Sequence, residues 1–138
     1  MLFLDATVLV GVADAKDDVH ADGVATWRAL AEGALGQAHV TDLVIAEAVT
    51  ILGRRPSVGA ARTAAFAEGV LTSDRIDLLP VDGPTCREAL ALYRRFGPAL
   101  SFSDVATVVQ MHKMGCRTLY SHDRGFDRIP GMDRRERP

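Results

Sequence analysis

At 138 residues, 48% apolar and 25% charged, the chain is the size of one globular domain and has enough apolar material for a packed core. It has no low-complexity tract and no apolar run near the ~18 residues of a membrane span, which sets aside disordered and helical-membrane classes. The formal charge of −2 is uneven: residues 1–112 carry 9 Lys and Arg against 14 Asp and Glu, a net of −5, and residues 113–138 carry 7 against 4, a net of +3. A basic end on an acidic body can meet a polyanion or simply be solvated.

In chain order, residues 2–6 (LFLDA) predict a short buried strand. "MLFLDATVLVGVA" resembles the apolar part of a secretion signal, but it lacks a basic start and is interrupted by Asp5, so a soluble, cytoplasmic chain is expected. A helix follows over 18–32, with Val24, Trp27, Leu30 and Ala31 on one face and Asp17 or Asp18 as its cap. "AHVT" (38–41) predicts a second strand, and Thr41 then caps a helix over 42–53. After the break "RRPSVG" comes an Ala-rich helix over 57–71, then a third strand, "IDLLPV", over 76–81. Pro84 opens a helix over 84–96, and another spans 102–114 and stops at Gly115. "CRTLYS" (116–121) predicts a fourth strand, followed by the turn "HDRGF" and the polar tail "GMDRRERP". Cys86 and Cys116 have no zinc-ligand spacing and read as reduced thiols in apolar segments. Strands alternating with helices predict an α/β layer fold with a mainly parallel sheet, whose ligands bind beyond the carboxyl ends of the strands.

Four acids stand where desolvation should penalise them. Asp5 ends the first strand; Glu47 lies on a helix stripe with Leu43, Val44 and Ile51; Asp104 opens a helix; Asp123 follows the fourth strand. An unpaired carboxylate in an apolar setting costs several kcal/mol, and four close together repel one another. No matched set of Arg or Lys accompanies them, whereas a hard divalent cation such as Mg²⁺ or Mn²⁺ answers both problems. Three of the acids also have a plainer reading: Ser101 and Asp104 match a capping box, Glu47 can reach solvent, and Asp123 can close a turn, whereas a strand-terminal Asp5 after Leu-Phe-Leu has little structural use.

The segments "FLDATVLV", "LVIAEAVTIL", "LSFSDVATVV" and "LYSHDRGFDRIPG" resemble those of PIN domains, and most nearly the small VapC-type toxins, over about residues 1–131. That resemblance implies a three-layer α/β/α fold with a mainly parallel four- or five-stranded sheet, residues 132–138 being a short basic tail or edge strand. Family members commonly end in an apolar fifth strand, so the polar "MDRRERP" predicts one that is short or absent. A metal-dependent endoribonuclease is implied, with Asp5, Glu47, Asp104 and Asp123 as the metal-binding catalytic cluster. Thr7 and Ser121 fall where a hydroxyl orients a carboxylate or a metal-bound water, Asp127 matches a secondary acid, and His122 is a neighbour and not a ligand.

Mg²⁺ or Mn²⁺ is the expected cofactor. Arg54, Arg55, Lys113, Arg117, Arg124 and Arg128 are candidate contacts to RNA phosphates, the RNA being tRNA, rRNA or mRNA. The resemblance further implies a cognate VapB-type antitoxin and a homodimer. Two other readings are a catalytically silent PIN-like binding module and a phosphotransfer enzyme of the haloacid-dehalogenase type. In the latter a second Asp commonly follows the first, where this chain has Thr7, and the Lys it needs is missing. A signalling receiver would need paired acids after the first strand and a Lys after a late strand, and this chain has neither.

Overall fold

The computed structural model describes all 138 residues, in five strands and six helices. The strands are β1 (Leu2–Leu4), β2 (Ala38–Thr41), β3 (Ile76–Leu79), β4 (Thr118–Tyr120) and β5 (Asp133–Arg135). All pair in parallel, in the order β3-β2-β1-β4-β5. The helices are α1 (Ala6–Ala13), α2 (His20–Ala31), α3 (Asp42–Arg54), α4 (Gly59–Leu71), α5 (Gly83–Phe96) and α6 (Phe102–Lys113).

The pleat of β1 explains why its three residues are all apolar. Leu2 and Leu4 point into one core with residues of α1 to α4, and Phe3 points into the other with residues of α5 and α6. The result is the expected three-layer α/β/α arrangement. Most helices begin at a side chain that suits them: Thr41 accepts from the Val44 amide, Asp82 from Thr85 and Ser101 from Asp104.

Two features depart from the expectations, and a third agrees with one of them. The first strand stops at Leu4, and Ala6–Ala13, unassigned from sequence, form α1. Ala6, Val8, Leu9, Val10 and Gly11 are all buried, so this helix carries no polar face to announce it. α2 begins at His20, and neither Asp17 nor Asp18 caps it: its N-cap is Val19, with no side-chain hydrogen bond. At the other end, the polar Asp133–Arg135 does form a strand, short as predicted, on the open edge of the sheet. The fold therefore continues past residue 131. No helix is long and apolar enough to cross a membrane, and both cysteines are free, Cys116 buried and Cys86 half-buried.

Candidate active site

The strand order departs from β1 in both directions, with β2 and β3 on one side and β4 and β5 on the other. Parallel sheets bind ligands outside the carboxyl ends at such a switch point. There the chain leaves β1 as Asp5 and leaves β4 as Ser121, His122 and Asp123. The Asp5 amide donates to the Tyr120 carbonyl (3.0 Å), and its side chain caps α1. Asp5 is only 4% exposed. Its Oδ2 accepts from the hydroxyls of Thr7 (2.7 Å) and Ser121 (2.8 Å) and, at longer range, from the Thr7 amide (3.4 Å). Each hydroxyl also accepts a backbone N–H, Thr7 from His122 and Ser121 from Asp123, both at 3.0 Å. Two hydroxyls thus staple the end of β1 to the end of β4.

The other three acids arrive from separate elements. Asp104 lies in the first turn of α6, where its Oδ2 accepts from the Ser101 amide (2.7 Å) and the Ser101 hydroxyl accepts from the Asp104 amide (3.2 Å). The capping-box reading is therefore correct, and it does not exhaust the residue. Burial, and then the charges of Asp5 and Glu47, push its pKa from 3.8 up to about 7 against those hydrogen bonds. Glu47, on α3, is half-buried. Burial raises its pKa first, followed by the charges of Asp5 and Asp123, while the nearby Ser103 hydroxyl opposes the shift. Asp123 accepts the Gly125 amide on Oδ1 (2.7 Å), opening a short 3-10 helix over Arg124–Arg128. Glycine is required at 125, because a Cβ would come within 2.8 Å of the Ala99 carbonyl in the loop that leads to Asp104.

The four carboxylates therefore share one electrostatic field, and none of them is ion-paired. Glu47 Oε2, Ser103 Oγ and His122 Nε2 are buried without a hydrogen-bond partner. No three His, Cys, Asp or Glu side chains stand close enough to cage a metal ion. Asp5, Asp104 and Asp123 each keep one oxygen on a local donor. The chemistry of the donor set nevertheless suits a hard cation. It is all carboxylate, has no Lys or Arg ion-paired to it, and includes the buried Glu47 Oε2, with the Ser103 hydroxyl as its neighbour.

The remaining candidates divide. Thr7 and Ser121 sit on Asp5, as described. Asp127 is exposed and gripped by Arg134, Nε to Oδ1 at 2.7 Å and Nη2 to Oδ2 at 3.3 Å, which lowers its pKa. It is an ion-pair partner and not a free member of the acidic group. Arg55 is likewise committed, to Asp14 (2.9 Å) and Asp17. Lys113 holds Thr85 and Glu88 at the far end of α6, about 13 Å of helix from Asp104. Arg117 donates to the Gly131 carbonyl (2.8 Å). Arg54 is exposed at the end of α3, and Arg124 and Arg128 are exposed on the turn after Asp123. Sequence reasoning missed Ser103, although it lies beside Asp104 in the quoted motif, and Arg134, which the polar tail concealed.

The molecule's two cavities lie elsewhere. One, of about 260 Å³, is lined by Met111, Cys116, Arg117 and Ile129, and the other, of about 360 Å³, by Leu92, Val109 and Lys113 among others. Neither cavity is lined by any of the four acids.

Comparison with known proteins agrees with this architecture. In structure the chain is similar to VapC20 of Mycobacterium tuberculosis, a sarcin–ricin loop cleaving toxin, at 22% identity and a TM-score of 0.79 over 92% of this chain and 93% of that one. It also resembles VapBC2 of Rickettsia felis bound to a promoter DNA fragment (14%, TM-score 0.67, 98% of each chain). A toxin–antitoxin complex from Klebsiella pneumoniae is similar as well (14%, TM-score 0.58, 96% of each chain). No curated protein matches the sequence. The family model for the PIN domain matches residues 2–132, all but the first residue and the last six, and the chain belongs to the PIN-domain family.

Proposed function

We propose that the chain is a metal-dependent endoribonuclease that hydrolyses RNA phosphodiester bonds, and that it is the toxin of a VapBC-type pair. The observation that carries the reading is the coupling of four unpaired carboxylates, from four separate segments, at the switch point of a parallel sheet. Asp5, Asp104 and Asp123 would hold Mg²⁺ or Mn²⁺, with Glu47 as a fourth ligand or its close neighbour. When bound, the cation lowers the pKa of a water and neutralises charge at the phosphorus. Asp5 is oriented for its task by the Thr7 and Ser121 hydroxyls. Glu47, with an unsatisfied Oε2 and a raised affinity for protons, is the group suited to take a proton from the attacking water. Arg124 and Arg128, exposed beside Asp123, supply phosphate contacts.

The toxin assignment draws on the toxin–antitoxin chains whose fold this one shares. It brings with it a cognate antitoxin that covers the acidic surface, and a homodimer. The test is incubation of purified protein with total RNA, tRNA and a sarcin–ricin loop oligonucleotide, in Mg²⁺ or Mn²⁺ and in EDTA. Cleavage only with metal, abolished by Asp5→Asn in a folded protein, is the expected result. Equal cleavage by wild type and Asp5→Asn, or cleavage in EDTA, defeats the reading.

A further inference from the structure

β5 contributes more than an edge to the sheet. The Arg134 side chain is only 12% exposed and spends its donors on three groups. Besides gripping Asp127 in a two-pronged pair, Nη1 donates to the Ser121 carbonyl (2.9 Å) and to Glu136 Oε1 (2.9 Å). The Ser121 amide in turn donates to the Arg135 carbonyl (2.9 Å). Both backbone polar groups of Ser121 are therefore held by consecutive residues of β5. Ser121 is the residue whose hydroxyl orients Asp5 Oδ2 and accepts the Asp123 amide.

We infer that Arg134 is a positioning residue. It splints Ser121 and the turn ending at Asp127, so that two acids from opposite ends of the chain keep one mutual geometry. This rests on the proposed nuclease reading for its catalytic consequence, but not for the splint. A surface arginine holding one exposed acid would contribute little. Arg134 differs in being mostly buried, in bonding a main-chain carbonyl, and in using a planar fork that Lys does not reproduce. Loss of a direct partner of a metal ligand, the place Ser121 holds, typically reduces affinity or activity by about 10–100-fold, and Arg134, one step further out, belongs at the lower end of that range.

The experiment compares wild type with Arg134→Gln, Arg134→Lys and, as a control for one lost positive charge, the exposed Arg137→Gln. Three quantities are read: Mn²⁺ affinity by calorimetric titration, kcat and KM for RNA, and exchange of the His122 and Asp123 amides in metal-free protein. For Arg134→Gln, Mn²⁺ affinity and kcat should each fall about tenfold or more, KM should stay within about threefold, and both amides should exchange faster. Arg134→Lys should fall between, and Arg137→Gln should match wild type.

Wild-type affinity, kcat and exchange in Arg134→Gln overturn the inference. A change in KM alone also does so, since it marks a plain phosphate contact, as does an equal loss in Arg137→Gln. If Arg134→Gln does not fold, Arg134→Lys decides by the same three readouts. If wild type itself neither binds Mn²⁺ nor cleaves RNA, the nuclease reading has failed, and amide exchange alone judges the splint.

Discussion

Asp5 was legible in the sequence because a carboxylate stands out between Leu-Phe-Leu and Val-Leu-Val, although the sequence did not announce its second use as the N-cap of α1. Its two hydroxyl partners come from positions 2 and 116 residues away, and only the nearer is suggested by local spacing. Ser121→Ala removes one donor from Asp5 Oδ2 and leaves the Asp123 amide bare. It should lower metal-dependent cleavage about 10–100-fold, measured as kcat at saturating RNA, with the fold retained by circular dichroism. Asp104→Asn separates charge from capping, because the amide oxygen can still accept the Ser101 N–H. In EDTA at pH 8 this variant should melt at a higher temperature than wild type while losing cleavage, the relief of repulsion outweighing the weaker cap. Arg134 was not legible. In "MDRRERP" nothing distinguishes it from Arg135 or Arg137 until the pleat of β5 turns one of them inward.

Among the elements, α3 and α6 were read within a residue or two: α3 from its half-buried stripe after the Thr41 cap, and α6, although Asp104–Val109 are buried without a break, from the Ser101 cap and the stop at Gly115. α1 escaped because burial on nearly every side erases the 3.6-residue pattern, leaving an apolar run that suits strand equally well. Its packing is close. A Cβ on Gly23 of α2 would lie 2.9 Å from the Val12 amide nitrogen and 3.0 Å from the Gly11 carbonyl carbon. Gly23→Ala should push α1 and α2 apart and destabilise the fold by about 1–3 kcal/mol, read by urea denaturation. Since Asp5 caps α1 and Thr7 lies in its first turn, cleavage should fall with stability, whereas alanine at Gly53 of α3, which meets open space, should leave both intact.

For the whole molecule, the parallel α/β class was evident from alternation, but strand order was not, because it depends on pairings between distant segments such as Leu4 with Tyr120. The acidic surface that this order assembles makes stability depend on pH in a definite direction. Asp104 binds its proton more tightly folded, near pH 7, than unfolded, near 3.8. Its contribution is therefore complete below about pH 4 and is lost as pH rises through 7; Glu47 acts in the same sense. Buried His39, with its pKa lowered by desolvation, acts oppositely at the acidic end. The difference in Tm between wild type and Asp104→Asn isolates the carboxyl. In EDTA wild type should fall behind the variant between pH 6 and 8, and millimolar Mn²⁺ should close the gap by binding the folded state.

The strand order also has a meaning in time. β1 precedes the other four strands and lies at the centre of the sheet, yet its neighbour β4 and the splint on β5 come last in chain order. During synthesis Asp5 has no Ser121 to meet until β4 has been made and has left the ribosome. The acidic surface is therefore late to assemble, and any chain that stops short of β4 lacks the hydroxyl that orients Asp5.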